Sequence, residues 1–415
     1  MTSAKGGTLA GQVPVLRTHM PELDTIRGLA ILGVLFYHGL YWARDLSVYA
    51  PWQRRILTLA APGQFGVNLF FVLSGFLITG ILVDSRNRPD YYSRFYFRRA
   101  LRILPAYYGT LLVLVCFGLT SRGFLYMSLL YSSNLSLIFG ITMSYPVLWS
   151  LAVEEHFYFL WPAAVRRIAP ERLTLVAAWI VVLSPVLRSL CYPLGSLLSF
   201  LRTGCSYYTW NVADGLALGS MVALLVRKWG GDRFRLKQLS LLFFAVGTFI
   251  GIVGCPFGIA TRMTTVGEAL QWVPWNFYFG GTLVLFLLAG SSRWKRIVTP
   301  RVLIFFGKIS YGLYLSHLML FCLYHWLAKR TNFEELWRLN VWERTWMAMS
   351  VAGGAAVLVS YLSRLYFEEP FLRLKDALPG RSRTSNSTEE NASASERELV
   401  PAKTTQRPFE KFPST

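Results

Sequence analysis

Arg27 and His38 interrupt an otherwise apolar run, with ten residues between them. Eleven helical steps of ~100° return to within ~20° of the start, so both lie on one face, ~16 Å apart along the axis. A guanidinium binds anions. An imidazole titrates near neutral pH and suits proton transfer. Together they suggest a single substrate lying along that stripe, its anionic end at Arg27 and its reacting end near His38. The structural alternatives are an anchoring charge at the membrane surface for Arg27 and a helix-packing hydrogen bond for His38.

Trp149–Tyr158 places Ser150, Glu154, Glu155 and His156 in another apolar stretch. Ser150 and Glu154 are one turn apart and share a face. Glu155 points ~100° away, so only one acid can face His38. Glu154 is taken as the partner that orients or charges it. Glu-Glu-His lacks the two-histidine helical zinc spacing, and the sequence offers no third ligand, so no metal is expected. Tyr92–Pro105 is a basic run in which Arg99 and Arg102 are three apart on one face. Such a pair suits phosphate, and the interleaved aromatics could stack on a base. An interfacial anchor on anionic lipid is the alternative. Asp214, beside Gly215 and Gly219, fits a buried carboxylate at a close helix crossing. Ser310, Tyr314 and His317 form a polar stripe at successive turns.

These residues require helices in lipid to position them. The 415-residue chain is 53% hydrophobic and only 15% charged, with mean hydropathy +0.39. Soluble domains carry about 25% charge, and single soluble cores stop growing near ~250–300 residues. The expected fold is an all-α integral membrane bundle of about ten transmembrane helices. They run over Ile26–Ala43, Gln64–Val83, Ile103–Leu119, Leu148–Val165, Leu173–Leu190, Trp210–Val226, Leu239–Cys255, Val273–Ala289, Val302–Leu327 and Trp346–Phe367. The shorter run Phe124–Ile138 reads as interfacial or re-entrant. Ionisable residues within such spans are costly and suggest function.

The net charge of +20 does not indicate nucleic acid, because Lys and Arg lie between apolar runs. With the N-terminus inside, the four inner segments hold about 18 basic residues against about 10 in the outer loops. That is the positive-inside pattern, and it puts both termini in the cytoplasm. No cleavage site follows the first apolar run, so it is expected to stay as an anchored helix. Residues 1–20 and 377–415 are expected to be disordered, flanking a transmembrane domain over 21–376. Cys191, Cys205 and Cys255 fall near predicted outer ends, where either a disulfide or unpaired thiols would fit. No internal repeat is visible, which counts against a secondary transporter.

At these motifs the chain resembles the membrane-bound acyltransferase family 3, the type of O-antigen and Nod-factor acetylases and macrolide acyltransferases. The resemblance rests on Leu23-Asp-Thr-Ile-Arg-Gly-Leu-Ala-Ile-Leu-Gly-Val-Leu-Phe-Tyr-His38, Phe70–Ile78, Arg99-Ala-Leu-Arg102, Trp149–Tyr158, Ile309–His317 and Phe367-Glu-Glu-Pro370, in family order over roughly residues 20 to 375. It implies transfer of an acyl group, acetyl by default, from cytosolic acyl-CoA as co-substrate to a hydroxyl of a carbohydrate or glycoconjugate. No bound cofactor is implied. On that reading Arg27, Arg99 and Arg102 hold the CoA phosphates, and the pantetheine arm follows the Arg27–His38 stripe. His38 is the general base and Glu154 supports the imidazolium. Ser74, Asp24 and His317 are further pocket candidates, beside Ser150, Asp214 and Ser310. Some members carry a C-terminal hydrolase-like extracytoplasmic domain. Here a short polar tail follows, so transfer is expected to finish within the membrane domain or to pass to a separate extracytoplasmic transferase. A bacterial inner membrane is the default location. The competing readings are a transporter or flippase that moves an acylated or glycolipid substrate without chemistry, and a scaffold whose polar residues only pack helices.

Overall fold

A computed structural model describes residues 15–17, 19–42, 44–195, 197–261 and 264–377. Of the ends expected to be disordered, residues 1–14 and 378–415 lie outside these. Next to the first helix, Val15 is buried, and Arg17 pairs with the buried Glu22 while donating to the Gly290 carbonyl at 2.7 Å.

Among the described residues every regular element is helical, and ten helices have 15 residues or more. They are α1 (Pro21–Phe36), α2 (Gly66–Asp84), α3 (Tyr91–Cys116), α4 (Leu148–Arg167), α5 (Pro170–Leu194), α6 (Asp214–Lys228), α7 (Arg233–Gly254), α8 (Val273–Gly290), α9 (Arg301–Thr331) and α10 (Val341–Leu362). A helix therefore stands at each of the ten apolar runs. Eight of these stretches are long and apolar enough to cross a bilayer. The other two are α4, which carries the polar load of Glu154, Glu155 and His156, and α6, which at 15 residues is shorter than a typical span. The architecture is a polytopic membrane bundle. Its outward side chains are apolar, Phe159 and Trp179 each being 72% exposed, as a lipid-facing surface requires. The stretch read as interfacial or re-entrant becomes a helix, Arg122–Leu129, and a 3-10 segment, Ser133–Phe139. Neither is long enough to span.

Two close crossings set the interior. Helix α1 packs along α9, and α2 along α6. A Cβ on Gly28 would lie 2.1 Å from the Leu303 carbonyl oxygen, and one on Gly307 1.9 Å from that of Asp24. Gly75 and Gly219 meet the backbones of Leu216 and Val72 equally closely. In lipid there is little hydrophobic drive between helices, so such small-residue contacts, which let backbones touch, carry the packing. The α1–α9 contact brings His38 and His317 to one level.

Helix α1 starts with Pro21 at its first turn and Glu22 and Asp24 near its positive end. It ends in a π turn, Tyr37–Tyr41, after which Trp42 is extended. His38 lies in that wider turn. Single π turns are frequent at functional sites, and this one was not visible in the spacing.

Candidate active site

Two cavities meet inside the bundle. The first, of about 110 Å³, is lined by Arg27 of α1, Ser74 of α2, Arg99 and Arg102 of α3, Ser150 and Glu154 of α4, and Ser310 and Tyr314 of α9. The second, of about 230 Å³, is lined by His38, Asn68, Trp149, Tyr207, Trp272 and Tyr314 among others. Val67, Phe71 and Tyr314 belong to both walls. The stripe from Arg27 to His38 thus runs from one cavity to the other. A third recess, of about 280 Å³, adjoins the arginine cavity through Ile78, Arg99 and Arg102, and adds Ser85, Tyr91, Arg94, Phe95 and Arg98.

In the arginine cavity the polar groups hold one another. Arg27 donates to Asp24 at 2.7 Å, which occupies part of its guanidinium. Asp24 itself does not line the cavity. Glu154 accepts from the Ser74 hydroxyl at 2.8 Å and from the Tyr158 hydroxyl at 2.9 Å. The Tyr158 ring lies under the Arg99 guanidinium, 3.7 Å from its centroid, a cation–π contact. Both carboxylate oxygens of Glu154 are therefore bound by hydroxyls on the arginine side. These partners, and not His38, account for its hydrogen bonds. Ser150 and Tyr314 hydroxyls are 2.5 Å apart at the junction of the cavities, and Ser310 donates back to Gly307 at 2.9 Å.

At the far cavity, His38 Nδ1 is 2.9 Å from the Val34 carbonyl oxygen. A carbonyl only accepts, so in the neutral ring Nδ1 carries the hydrogen and Nε2 keeps its lone pair. The same holds for His317, whose Nδ1 is 2.8 Å from the Tyr314 carbonyl and 3.0 Å from that of Leu313. His317 is fully buried, and its Nε2 has no hydrogen-bond partner. The two imidazole centroids are 5.0 Å apart. Among the described residues no cluster of three His, Cys, Asp or Glu side chains could hold a metal ion.

An arginine-lined cavity thus shares the Val67, Phe71 and Tyr314 wall with a cavity that holds the His38 imidazole, and the sequence relatives bear on what chemistry this pairing can do. A family model described as an acyltransferase domain matches residues 20–365. The chain belongs to this acyltransferase family. It is 27% identical to the peptidoglycan O-acetyltransferase OatA of Listeria monocytogenes serovar 1/2a, over 85% of this chain and 56% of the relative. It is 28% identical to the O-acetyltransferase OatA of Staphylococcus aureus strain NCTC 8325, over 72% of this chain and 50% of the relative. The chain thus spans about half the length of these curated relatives. No solved structure matches it. With its apolar spans, this member of the family is an integral membrane protein.

Asp214 lines neither of the two cavities. It pairs with Arg188 at 2.9 Å, the two side chains being 2% and 1% exposed. Arg188 also donates to the Ala269 carbonyl at 3.0 Å and to that of Asn211, and it lies over the Trp272 ring. The pair therefore props the Trp272 wall of the histidine cavity. Arg188 was passed over in the sequence because it closes an apolar run, although an arginine there calls for a buried acid. His156 Nδ1 contacts the Thr209 hydroxyl at 2.6 Å, and Asn134 donates to that hydroxyl at 2.9 Å. Both steady the segment that carries Tyr207. Removing Asp214 strands the Arg188 charge, so Asp214→Ala is expected to destabilise the protein by ~3–5 kcal/mol, seen as a lowered melting temperature in detergent. The double replacement Arg188→Met/Asp214→Leu should recover much of the loss. An unchanged melting temperature in Asp214→Ala would remove the pair from this structural role.

Proposed function

We propose that the acyltransferase moves an acyl group, acetyl by default, from cytosolic acyl-CoA to a hydroxyl of a carbohydrate or glycoconjugate on the far side of a bacterial plasma membrane. The observation that carries this reading is the meeting of an arginine-lined cavity and a histidine-lined cavity at Tyr314. The basic-residue bias supports a cytosolic position for the arginine cavity. Arg99 and Arg102 with Arg27 bind the donor's phosphates. The neighbouring recess, with Tyr91, Phe95, Arg94 and Arg98, takes the nucleotide. The pantetheine arm then carries the thioester toward Tyr314.

The acceptor enters the histidine cavity. Its walls combine Trp149, Tyr207 and Trp272 with Gln64, Asn68 and Ser206. Flat aromatic faces with amide and hydroxyl groups suit a sugar ring. The names of the two relatives, one specifying peptidoglycan, support a sugar hydroxyl as the acceptor. His38 Nε2 takes the hydroxyl proton as the oxygen attacks the thioester carbonyl. The C–S bond then breaks, and the proton passes to the departing thiolate. His317 stands beside His38 as a second buried imidazole. The Ser150 and Tyr314 hydroxyls share one hydrogen bond and both reach the Val147 carbonyl; the hydrogen not shared between them turns from that carbonyl to the developing oxyanion. Glu154 acts on the donor side, fixing Tyr158 and Ser74 and balancing the arginines.

Donor binding can be tested apart from chemistry. A ligand that binds only the folded state raises its melting temperature. Coenzyme A should therefore raise that of the purified acyltransferase, and Arg102→Ala should need at least tenfold more for the same shift. No shift at millimolar coenzyme A would overturn the donor assignment and favour transport without chemistry.

A further inference from the structure

Cys191 lies in the last turn of α5, and Cys205 follows the short helix Ser199–Gly204. Both side chains are buried, 4% and 1% exposed. One donor, the Asn211 amide nitrogen, reaches both sulfurs, at 3.3 Å for Cys191 and 3.5 Å for Cys205. The two thiols donate to neighbouring carbonyls of α5, Cys191 to that of Leu187 at 3.8 Å and Cys205 to that of Arg188 at 3.9 Å. Asn211 donates as well to the Cys205 carbonyl at 3.0 Å, which holds the turn in place. The next two residues, Ser206 and Tyr207, line the histidine cavity. All five cysteines are free thiols in this structure, Cys191 and Cys205 buried and Cys116, Cys255 and Cys322 exposed.

We propose that Cys191 and Cys205 are joined by a disulfide in the mature protein, and that this bond fixes the Ser206–Tyr207 wall of the histidine cavity. The inference rests on the sidedness proposed above, which puts this end of α5 outside the cytosol, where disulfides persist. The oxidant is a protein disulfide of the extracytoplasmic compartment. One cysteine thiolate attacks it to give a mixed disulfide, and the second displaces the oxidant as its dithiol. Two thiols of this chain are thereby oxidised, one disulfide of the oxidant is reduced, and two protons are exchanged. Burial of both sulfurs in the finished fold requires this exchange to precede docking of the Ser199–Tyr208 segment. The sulfurs are then shielded from reductants.

The test is alkylation of the full chain, purified from membranes without reductant, then denatured in N-ethylmaleimide and weighed. The expected mass carries three maleimides, on Cys116, Cys255 and Cys322, and rises to five after prior reduction. A peptide linked through Cys191 and Cys205 should appear without reductant only. Reductant during unfolding should lower the melting temperature of the wild type and leave that of Cys191→Ser/Cys205→Ser unchanged. Five maleimides without reductant would overturn the proposal, as would a linkage to any other cysteine. The mass readout does not depend on turnover, so it succeeds or fails separately from the donor and acceptor assignments.

Discussion

His38→Ala is expected to lower acetyl-CoA turnover by ~10²–10⁴-fold, the usual contribution of a positioned general base. The protein should stay folded. His38 is partly exposed to its cavity, and its hydrogen bond to the Val34 carbonyl is local to the helix end. Its loss removes no contact between helices of the kind made at Gly28 and Gly307. Donor binding, made at the other cavity, should be unchanged, so the melting shift with coenzyme A persists while turnover falls. The check is thiol release by purified protein with an N-acetylglucosamine oligosaccharide as acceptor, alongside size exclusion. Full-rate turnover by folded His38→Ala would remove the imidazole from the chemistry. A variant that loses the coenzyme A shift as well would place His38 in binding instead.

The second large effect concerns the arginines. Arg102→Ala should raise KM for acetyl-CoA by ~10–100-fold, the equivalent of one charge-assisted hydrogen bond of ~1.5–3 kcal/mol, with a smaller change in kcat. Arg99→Ala should do the same and add a fall in kcat, because Arg99 also caps the Tyr158 ring that holds Glu154. The assignment to phosphate can be separated from general packing by comparing acetyl-CoA with acetyl-pantetheine, which lacks the nucleotide. Wild type should prefer acetyl-CoA strongly, and Arg102→Ala should lose most of that preference. Equal damage with both donors would mean that Arg102 supports the fold and not the nucleotide end.

How much of this could be read from the chain depends on which forces act within one helix and which between helices. The apolar runs were legible because a bilayer demands about 20 apolar residues per span, and a helix stands at each. The Asp24–Arg27 pair lies within one turn, and the shared face of Ser150 and Glu154 follows from helical geometry. Which helix meets which does not. The Tyr158 contact of Glu154 is one turn away within α4, but its Ser74 contact and the approach of His317 to His38 depend on the α2–α4 and α1–α9 crossings. Three of the four glycines at these crossings, Gly28, Gly75 and Gly307, drew no notice because a glycine in an apolar run carries no label of its partner. Arg188 was obscured for a similar reason. Its acid, Asp214, is 26 residues away and becomes its partner only once α5 lies against α6. The π turn at Tyr37–Tyr41 has no marking residue at all, and it changes the register at the residue assigned as the base.

Transfer between opposite sides of the membrane is what the two facing cavities require. The measurement is made on the acyltransferase in sealed liposomes with labelled acetyl-CoA outside. An N-acetylglucosamine oligosaccharide is placed either outside or within. Label is predicted to reach the enclosed oligosaccharide, with none on oligosaccharide outside and none in liposomes carrying His38→Ala. Label appearing on the outside acceptor, or on the enclosed one at an undiminished rate with His38→Ala, would contradict it.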